Sequence, residues 1–418
     1  MCYNIYMIKH RLKNILALSL ALGFSMVPGK ALCDNFEYKH IKGSRYRILS
    51  VVDQAVFING VLSHRAEILN RVAVEVTDVR DGKGQHKATF QTSERIIYDS
   101  SQRTQTAVSG FQWSREYDSV FDRDRLGQLT IDPQYYMPVV RNVPLFPGRD
   151  LRVLDRWSAP GHEVHDFRDA FGITEPYRIP FVANYIYIGE RQWKGKSYPA
   201  FSISYRVASS PPPVRGRVYP TRYYGEFDQL VFWDHSLGQA VAYEESFRIT
   251  FEMSDRRKIE FRGNATAEFV ESEEMDREQL VSQIAEEINK LDIPGVNVRI
   301  VDEGISISLE DIQFYADSAR MLPGEQEKLD RIAEILKRYP ERDILISGHA
   351  ALAGTREYLL KLSQDRAGAI ADYLLSKNVR AADRIVTRGY GADRPVADNS
   401  TEEGMRRNRR VEITILEN

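Results

Sequence analysis

The feature that most restricts this chain is the alternation of two periods in its final quarter. Across residues 325–339, Leu329, Ile332, Ala333 and Leu336 recur at helical spacing, and Pro340 ends the run. Residues 343–347 are a short apolar strand pattern. Thr355 stands where an N-cap belongs, ahead of Leu359, Leu362, Ala367, Ile370 and Leu374 on one helical face. Strand pattern returns at 384–390, a helical turn at 401–407, and a last strand at 411–415. Strands alternating with helices that cover one face predict an α+β sandwich.

A lead-in precedes it. Residues 276–291 carry Leu280, Ile284 and Ile288 on one stripe, and Pro294-Gly295 stops the helix. Two strands follow around Asp302-Glu303-Gly304. The expected division is a helix-strand lead-in at 271–303 packed on a module at 304–418.

Residues 34–270 have the grain of β structure. Phe247, Ile249, Phe251 and Met253 alternate with polar neighbours, as do Val72, Val74 and Val76, and Phe201, Ile203 and Tyr205. Turn chemistry separates the runs at Asp81-Gly82, Lys194-Gly195 and His235-Ser236-Leu237-Gly238. Pro133, Pro138, Pro144 and Pro147 concentrate where a boundary could fall. The reading is two β-rich domains, 34–145 and 146–270, sandwich- or barrel-like and soluble. A membrane barrel fits less well: Arg and Glu are scattered on the alternate faces, and Leu230-Val231-Phe232-Trp233 breaks the alternation. Residues 209–213 (Ser-Ser-Pro-Pro-Pro) read as a stiff surface loop, with a polyproline recognition segment as the alternative.

The start of the chain reads as a signal peptide over residues 1–33. Lys9, Arg11 and Lys13 precede an apolar stretch of about 13 residues, short for a membrane span, and Ala31-Leu32-Cys33 offers a cleavage site. A retained anchor or lipidation at Cys33 are the alternatives. The only cysteines are Cys2 and Cys33, so a processed chain has no disulfide and no mature transmembrane helix is expected. A formal net charge of -2 gives no basic field for nucleic acid.

Catalytic chemistry is not legible. His162 and His165 stand three apart with Glu163 between, but a third metal ligand cannot be found and a polar loop is the plainer reading. Nucleophile sets and phosphate-binding loops do not assemble by spacing. The expectation is a non-enzymatic protein with no cofactor and no metal. An envelope-glycan enzyme in the β region is the less favoured alternative.

The last quarter does carry motifs. Gly348-His349-Ala350-Ala351, then Leu362-Ser363-Gln364-Asp365-Arg366-Ala367, then Gly389-Tyr390-Gly391 and Asn408-Arg409-Arg410 come in an order that resembles the OmpA-like C-terminal domain. That family ties cell-envelope proteins to peptidoglycan. The resemblance implies recognition of a stem peptide through diaminopimelate, whose ammonium meets an Asp and whose carboxylate meets an Arg. By position the Arg is Arg366, with Arg409 and Asn408 as further pocket candidates. The family's Asp falls on Ala351 and its Asn on Leu359, so both are lost here. The resemblance therefore implies a periplasmic or outer-membrane-associated protein with weakened or altered wall recognition. Its partner is a stem peptide, possibly with another diamino acid, or an envelope protein. The alternative keeps ordinary anchoring through a displaced carboxylate, with Asp317, Asp365 and Glu357 as candidates. Nothing in the resemblance covers residues 34–270.

Overall fold

A computed structural model of the protein describes residues 34–99, 111–271, 275–310, 312, 314–315 and 318–417. The expected signal peptide and Asp317 lie outside the described residues. The chain packs into two compact units: residues 34–90, 96–99 and 116–270 make one, and residues 91–95, 111–115 and 275–417 belong to the other.

The strands of the N-terminal region are β1 (Arg45–Ile58), β2 (Val61–Arg80), β3 (Lys83–Asp99), β4 (Phe111–Arg123), β5 (Leu129–Ile131), β6 (Val140–Arg141) and β7 (Arg156–His165). After the short helix α1 (Arg168–Phe171) come β8 (Tyr177–Trp193), β9 (Lys196–Ser209), β10 (Pro220–Asp234), β11 (Gln239–Met253) and β12 (Lys258–Glu271). Strands β6 to β12 form an antiparallel meander. β12 also pairs with β1, which pairs antiparallel with β2. Tight two-residue turns set the registers: Asn59-Gly60, Asp81-Gly82 and Lys194-Gly195 each have both residues at positive φ. That geometry follows the right-handed twist of the flanking strands, and Gly with Asn or Asp tolerates it best. Asn59-Gly60 was as readable in the sequence as the other two.

The expected boundary at 145–146 falls inside one core. Phe146 stacks 5.6 Å from Phe36 and lies edge-on 4.8 Å from Trp233, and all three belong to one apolar cluster with Phe201 and Phe261. The proline-rich stretch is a loop crossing this core rather than a linker between two. Alternation along β10 continues through this stretch: Phe227, Val231 and Trp233 face the main core, while Leu230 and Phe232 pack with Ala200 and Ala242 on the other side. Both faces of the strand are covered there, so its sequence is apolar without a break at 230–233.

The face of the sheet away from the core carries ions. Arg206 meets Glu226 at 3.0 Å, and Glu260 receives both Arg248 at 3.3 Å and Arg262 at 2.5 Å. A surface laced with guanidinium groups does not suit hydrocarbon. Among the described residues no helix is long and apolar enough to cross a membrane.

The second unit holds α2 (Arg277–Lys290), β13 (Val296–Val301), β14 (Gly304–Glu310), α3 (Glu325–Leu336), β15 (Ile344–Gly348), α4 (Arg356–Ser376), β16 (Ile385–Gly389), α5 (Glu402–Asn408) and β17 (Arg410–Leu416). Its sheet runs β13–β14–β17–β15–β16, with β15 and β16 parallel and joined by α4. Phe111 and Gln112 of β4 pair in parallel with Val386 and Thr387, so the sheet has a further short strand at its β16 edge. Ile284 and Ile288 of α2, Leu329 and Ile332 of α3, and Ala367 and Ile370 of α4 share one core with Ile307, Ile346 and Ile413. The lead-in is thus part of this core, because β13 pairs with β14 and α2 buries its stripe there. Asp276 and Thr355 cap α2 and α4 as their side chains imply.

Candidate functional site

The motif residues of the second unit meet where α4 crosses the ends of β15 and β16. The approach is too close for side chains. A Cβ on Gly348 would drive into the Ser363 carbonyl oxygen, and one on Gly389 would lie 2.5 Å from the Gln364 nitrogen. Polar side chains then lock helix to strands. The buried Ser363 hydroxyl accepts from the Gly391 amide at 2.8 Å and donates to the Leu360 carbonyl at 2.9 Å. Gln364 accepts from the Gly389 amide and donates to Thr387 at 2.8 Å. Gln364 is as much a part of this joint as Ser363, but a single sequence gives a Gln on a helix no distinguishing mark.

The loop after β15 is tied down at successive amides. Those of His349, Ala350 and Leu352 donate to the carbonyl oxygens of Arg410 and Gly391 and to Asn399 Oδ1. His349 is buried and stacks on Tyr390 with ring centroids 5.2 Å apart. Burial, reinforced by the neighbouring Arg410 guanidinium, pushes its pKa down to about 3. It is a neutral packing residue. Burial works most strongly on Glu412 and would raise it, but the groups around it, Arg410 first and Arg299 among them, together hold the carboxyl below its ordinary value. Arg410 Nε and Arg299 Nη2 each donate to Glu412 Oε1 at 2.7 Å.

Asn408 is fully buried and its amide is saturated. Oδ1 accepts from the Val396 and Ala397 amides, while Nδ2 donates to the Ala397 carbonyl and Asn399 Oδ1. It holds the 396–399 loop and has no hydrogen-bonding capacity left for a ligand. Asn408→Ala would leave two backbone amides unpaired, so a loss of about 2 kcal/mol or more is expected in urea denaturation of the full chain.

The basic run at 406–410 is not one face. Arg406 pairs with Glu403 at 2.8 Å, Arg410 is buried, and Arg409 is half exposed with Nη2 3.9 Å from Glu402. Arg366, on α4, donates Nε to the Ser318 carbonyl at 3.1 Å and lies 4.8 Å above the Phe314 ring. This sets the guanidinium against Phe314 and Ser318. Asp365, its neighbour on α4, pairs with Lys361 at 2.6 Å. Asp393, on the loop after β16, pairs with Arg356, also at 2.6 Å. Ala350, Ala351 and Leu359 are all buried. Leu352 is 64 % exposed, and Tyr358 and Val396 are also open to solvent.

The family comparison decides what this arrangement is. The OmpA family pattern matches residues 313–409. The second unit carries an OmpA family domain. Over 105 residues the chain is 42% identical to the peptidoglycan-associated lipoprotein of Brucella melitensis, covering 25% of this chain and 61% of that protein. Over 104 residues it is 40% identical to the peptidoglycan-binding protein ArfA of Mycobacterium tuberculosis, covering 25% and 32%. The chain therefore spans between about a third and three fifths of the length of these relatives. Among solved structures, the cell wall anchor of the T6SS from Pseudomonas aeruginosa is 32% identical, covering 34% of this chain and all of that one, with a TM-score of 0.29.

The first unit has its own buried polar cluster. Residues 161–165 are not a loop but the end of β7, where alternation puts Glu163 and His165 inward and His162 on the other face. The two imidazoles therefore cannot share a metal, and no group of three ligands exists among the described residues. Glu163 Oε2 lies 2.8 Å from His165 Nε2 and accepts from the Tyr223 hydroxyl at 2.8 Å. Glu245 accepts from Gln229, and burial pushes its pKa up to about 7. With Glu163 at 1 % and Glu245 at 7 % exposure, these carboxyls are enclosed in the sheet's core. Acid pairs that hydrolyse glycans need room for sugar and water between them.

Proposed function

We propose that this is an exported, non-enzymatic cell-envelope protein whose OmpA domain recognises peptidoglycan in an altered way. The observation that carries the reading is Arg366 at its motif position with Ala351 and Leu359 at the other two, in a scaffold whose remaining motif residues keep the helix-strand joint intact. The relatives named as peptidoglycan-binding and peptidoglycan-associated support wall contact. The substitutions argue against ordinary diaminopimelate recognition. A charge-assisted hydrogen bond contributes about 1.5–3 kcal/mol, so losing one weakens Kd roughly ten- to 150-fold. An ammonium buried with no partner costs about 2–5 kcal/mol more. Asp365, proposed from the sequence as a displaced replacement, is engaged with Lys361. Glu357 sits in the exposed first turn of α4.

The test is retention on purified sacculi of diaminopimelate and ornithine types. The expected result is retention that Arg366→Ala lowers about tenfold or more, the loss of one charge-assisted bond. Strong binding to diaminopimelate-type sacculi that survives Arg366→Ala would exclude the reading.

A further inference from the structure

The charged face of the first unit's sheet is not paired throughout. Beside the ion pairs of Glu226 with Arg206 and of Glu260 with Arg248 and Arg262 lies a cleft of about 610 Å³. That is within the range of about 300–1,000 Å³ usual for small-ligand sites. Five side chains that line it, Asp53, Arg65, Asp228, Ser246 and Asn264, make no hydrogen bond or ion pair with any described residue. Nε of Arg65 is shielded from solvent as well. The strand register sets the five in a row. Asp228 of β10 faces Ser246 of β11, which faces Asn264 of β12. Next comes β1, where a Cβ on Gly263 would lie 2.5 Å from the Asp53 carbonyl oxygen, and Ala55 of β1 faces Arg65 of β2. The row thus crosses five strands, about 19 Å at the usual strand spacing.

We infer that this row binds the glycan strand of peptidoglycan, laid across the strands of the sheet. The inference rests on the wall-binding reading above and adds a second wall component at a second site. Unpaired groups of both signs, separated by a hydroxyl and a carboxamide, fit a ligand that donates and accepts along its length without carrying much charge. A chain of amino sugars is such a ligand. Its hydroxyls donate to the Asp53 and Asp228 carboxylates, and its hydroxyl and acetamido oxygens accept from Arg65 and Asn264. A peptide fits less well. Strands β10, β11, β12 and β1 each have a neighbour on both sides, so an extended segment cannot join the sheet there as a further strand. An apolar anchor finds no open pocket either. The ring of Phe57 is covered by the Arg262 guanidinium at 4.6 Å, and Phe247 belongs to the core.

The experiment separates glycan from stem on the full chain. Its probes are a chitin tetrasaccharide in calorimetry and immobilised glycan strands freed of their stems by an amidase, with intact sacculi beside them. Wild type is expected to bind both glycan probes. Asp228→Ala should weaken that binding about tenfold or more and Asn264→Ala about fivefold, the loss of one charged and one neutral hydrogen bond. Both side chains are exposed and unbonded, so neither change disturbs the fold. Glycan binding that is equal in wild type and both variants overturns the inference. Retention of intact sacculi with no binding to either glycan probe overturns it too and leaves the wall-binding reading. A synthetic stem peptide whose binding falls in Asp228→Ala, with the glycan probes unbound, would put peptide in the cleft and overturn it as well. Loss of sacculi and glycan probes alike overturns the two readings together.

Discussion

Gly348→Ala should destabilise the OmpA domain by about 3 kcal/mol or more, the upper range of overpacking effects. The added Cβ meets the Ser363 carbonyl oxygen, which is backbone and not the end of a flexible side chain. Helix α4 cannot retreat without breaking the bonds from Gln364 to Gly389 and Thr387 and from Gly391 to Ser363. Gly368→Ala is the control, on the same helix with open space around the new methyl. It should raise stability by up to about 1 kcal/mol, since Ala is the better helix former. In urea denaturation of the full chain, the transition that Gly368→Ala moves up is the one that Gly348→Ala should move down. A Gly348→Ala midpoint equal to wild type would mean that helix and strand are not locked as described. Wall binding should fall with stability in Gly348→Ala, because the same joint places Arg366.

The second large effect concerns the first unit and pH. Glu245 is buried, faces Gln229 across β10 and feels the charge of Glu163 on β7, and its pKa is raised from 4.5 to about 7. Tyr243 nearby is pushed up to about 12, by burial first and then by Glu245. A carboxyl whose folded pKa lies above its unfolded value keeps its proton longer in the native state. Its stabilising contribution is complete below about pH 4.5, and it is lost as pH rises toward about 7. The loss amounts to about 3 kcal/mol across that window. Glu245→Gln keeps the shape and removes the proton, so its stability should lack this slope. Denaturation midpoints of wild type and Glu245→Gln between pH 4.5 and 8 make the comparison. Parallel curves would show that Glu245 ionises in the native state as easily as in the unfolded chain.

Much of the second unit was legible because its signals are local. Leu329, Ile332 and Leu336 repeat at helical spacing, Thr355 caps, and Pro294-Gly295 and Pro340 stop helices, all within a few residues. The strands of the first unit were legible for the same reason, through period-2 alternation and turns such as Lys194-Gly195. The boundary at residue 145 misled because proline density marks a loop without saying what lies beneath it. Phe36, Phe146 and Trp233 are far apart in sequence, and nothing local announces that they share a core. Residues 161–166 misled in the same way. Their polarity suggested a surface loop, while Tyr223, 60 residues on, supplies the bond that lets Glu163 be buried.

The sequence alone determined the domain's kind, and which residues stand at its motif positions, because motif order and the identities of Ala351, Leu359 and Arg366 are covalent facts. Only the tertiary structure decided what the conserved-looking pieces do. Gly348, Ser363, Gln364 and Asn408 are consumed in holding strand ends to a helix and a loop to its neighbour. The amides of Leu352 and Val396 find Asn399 and Asn408 only when their separate segments are brought together. The physical reason is common to both: close approach and shared hydrogen bonds depend on residues distant in the chain, and a side chain's type does not reveal which of them it will meet.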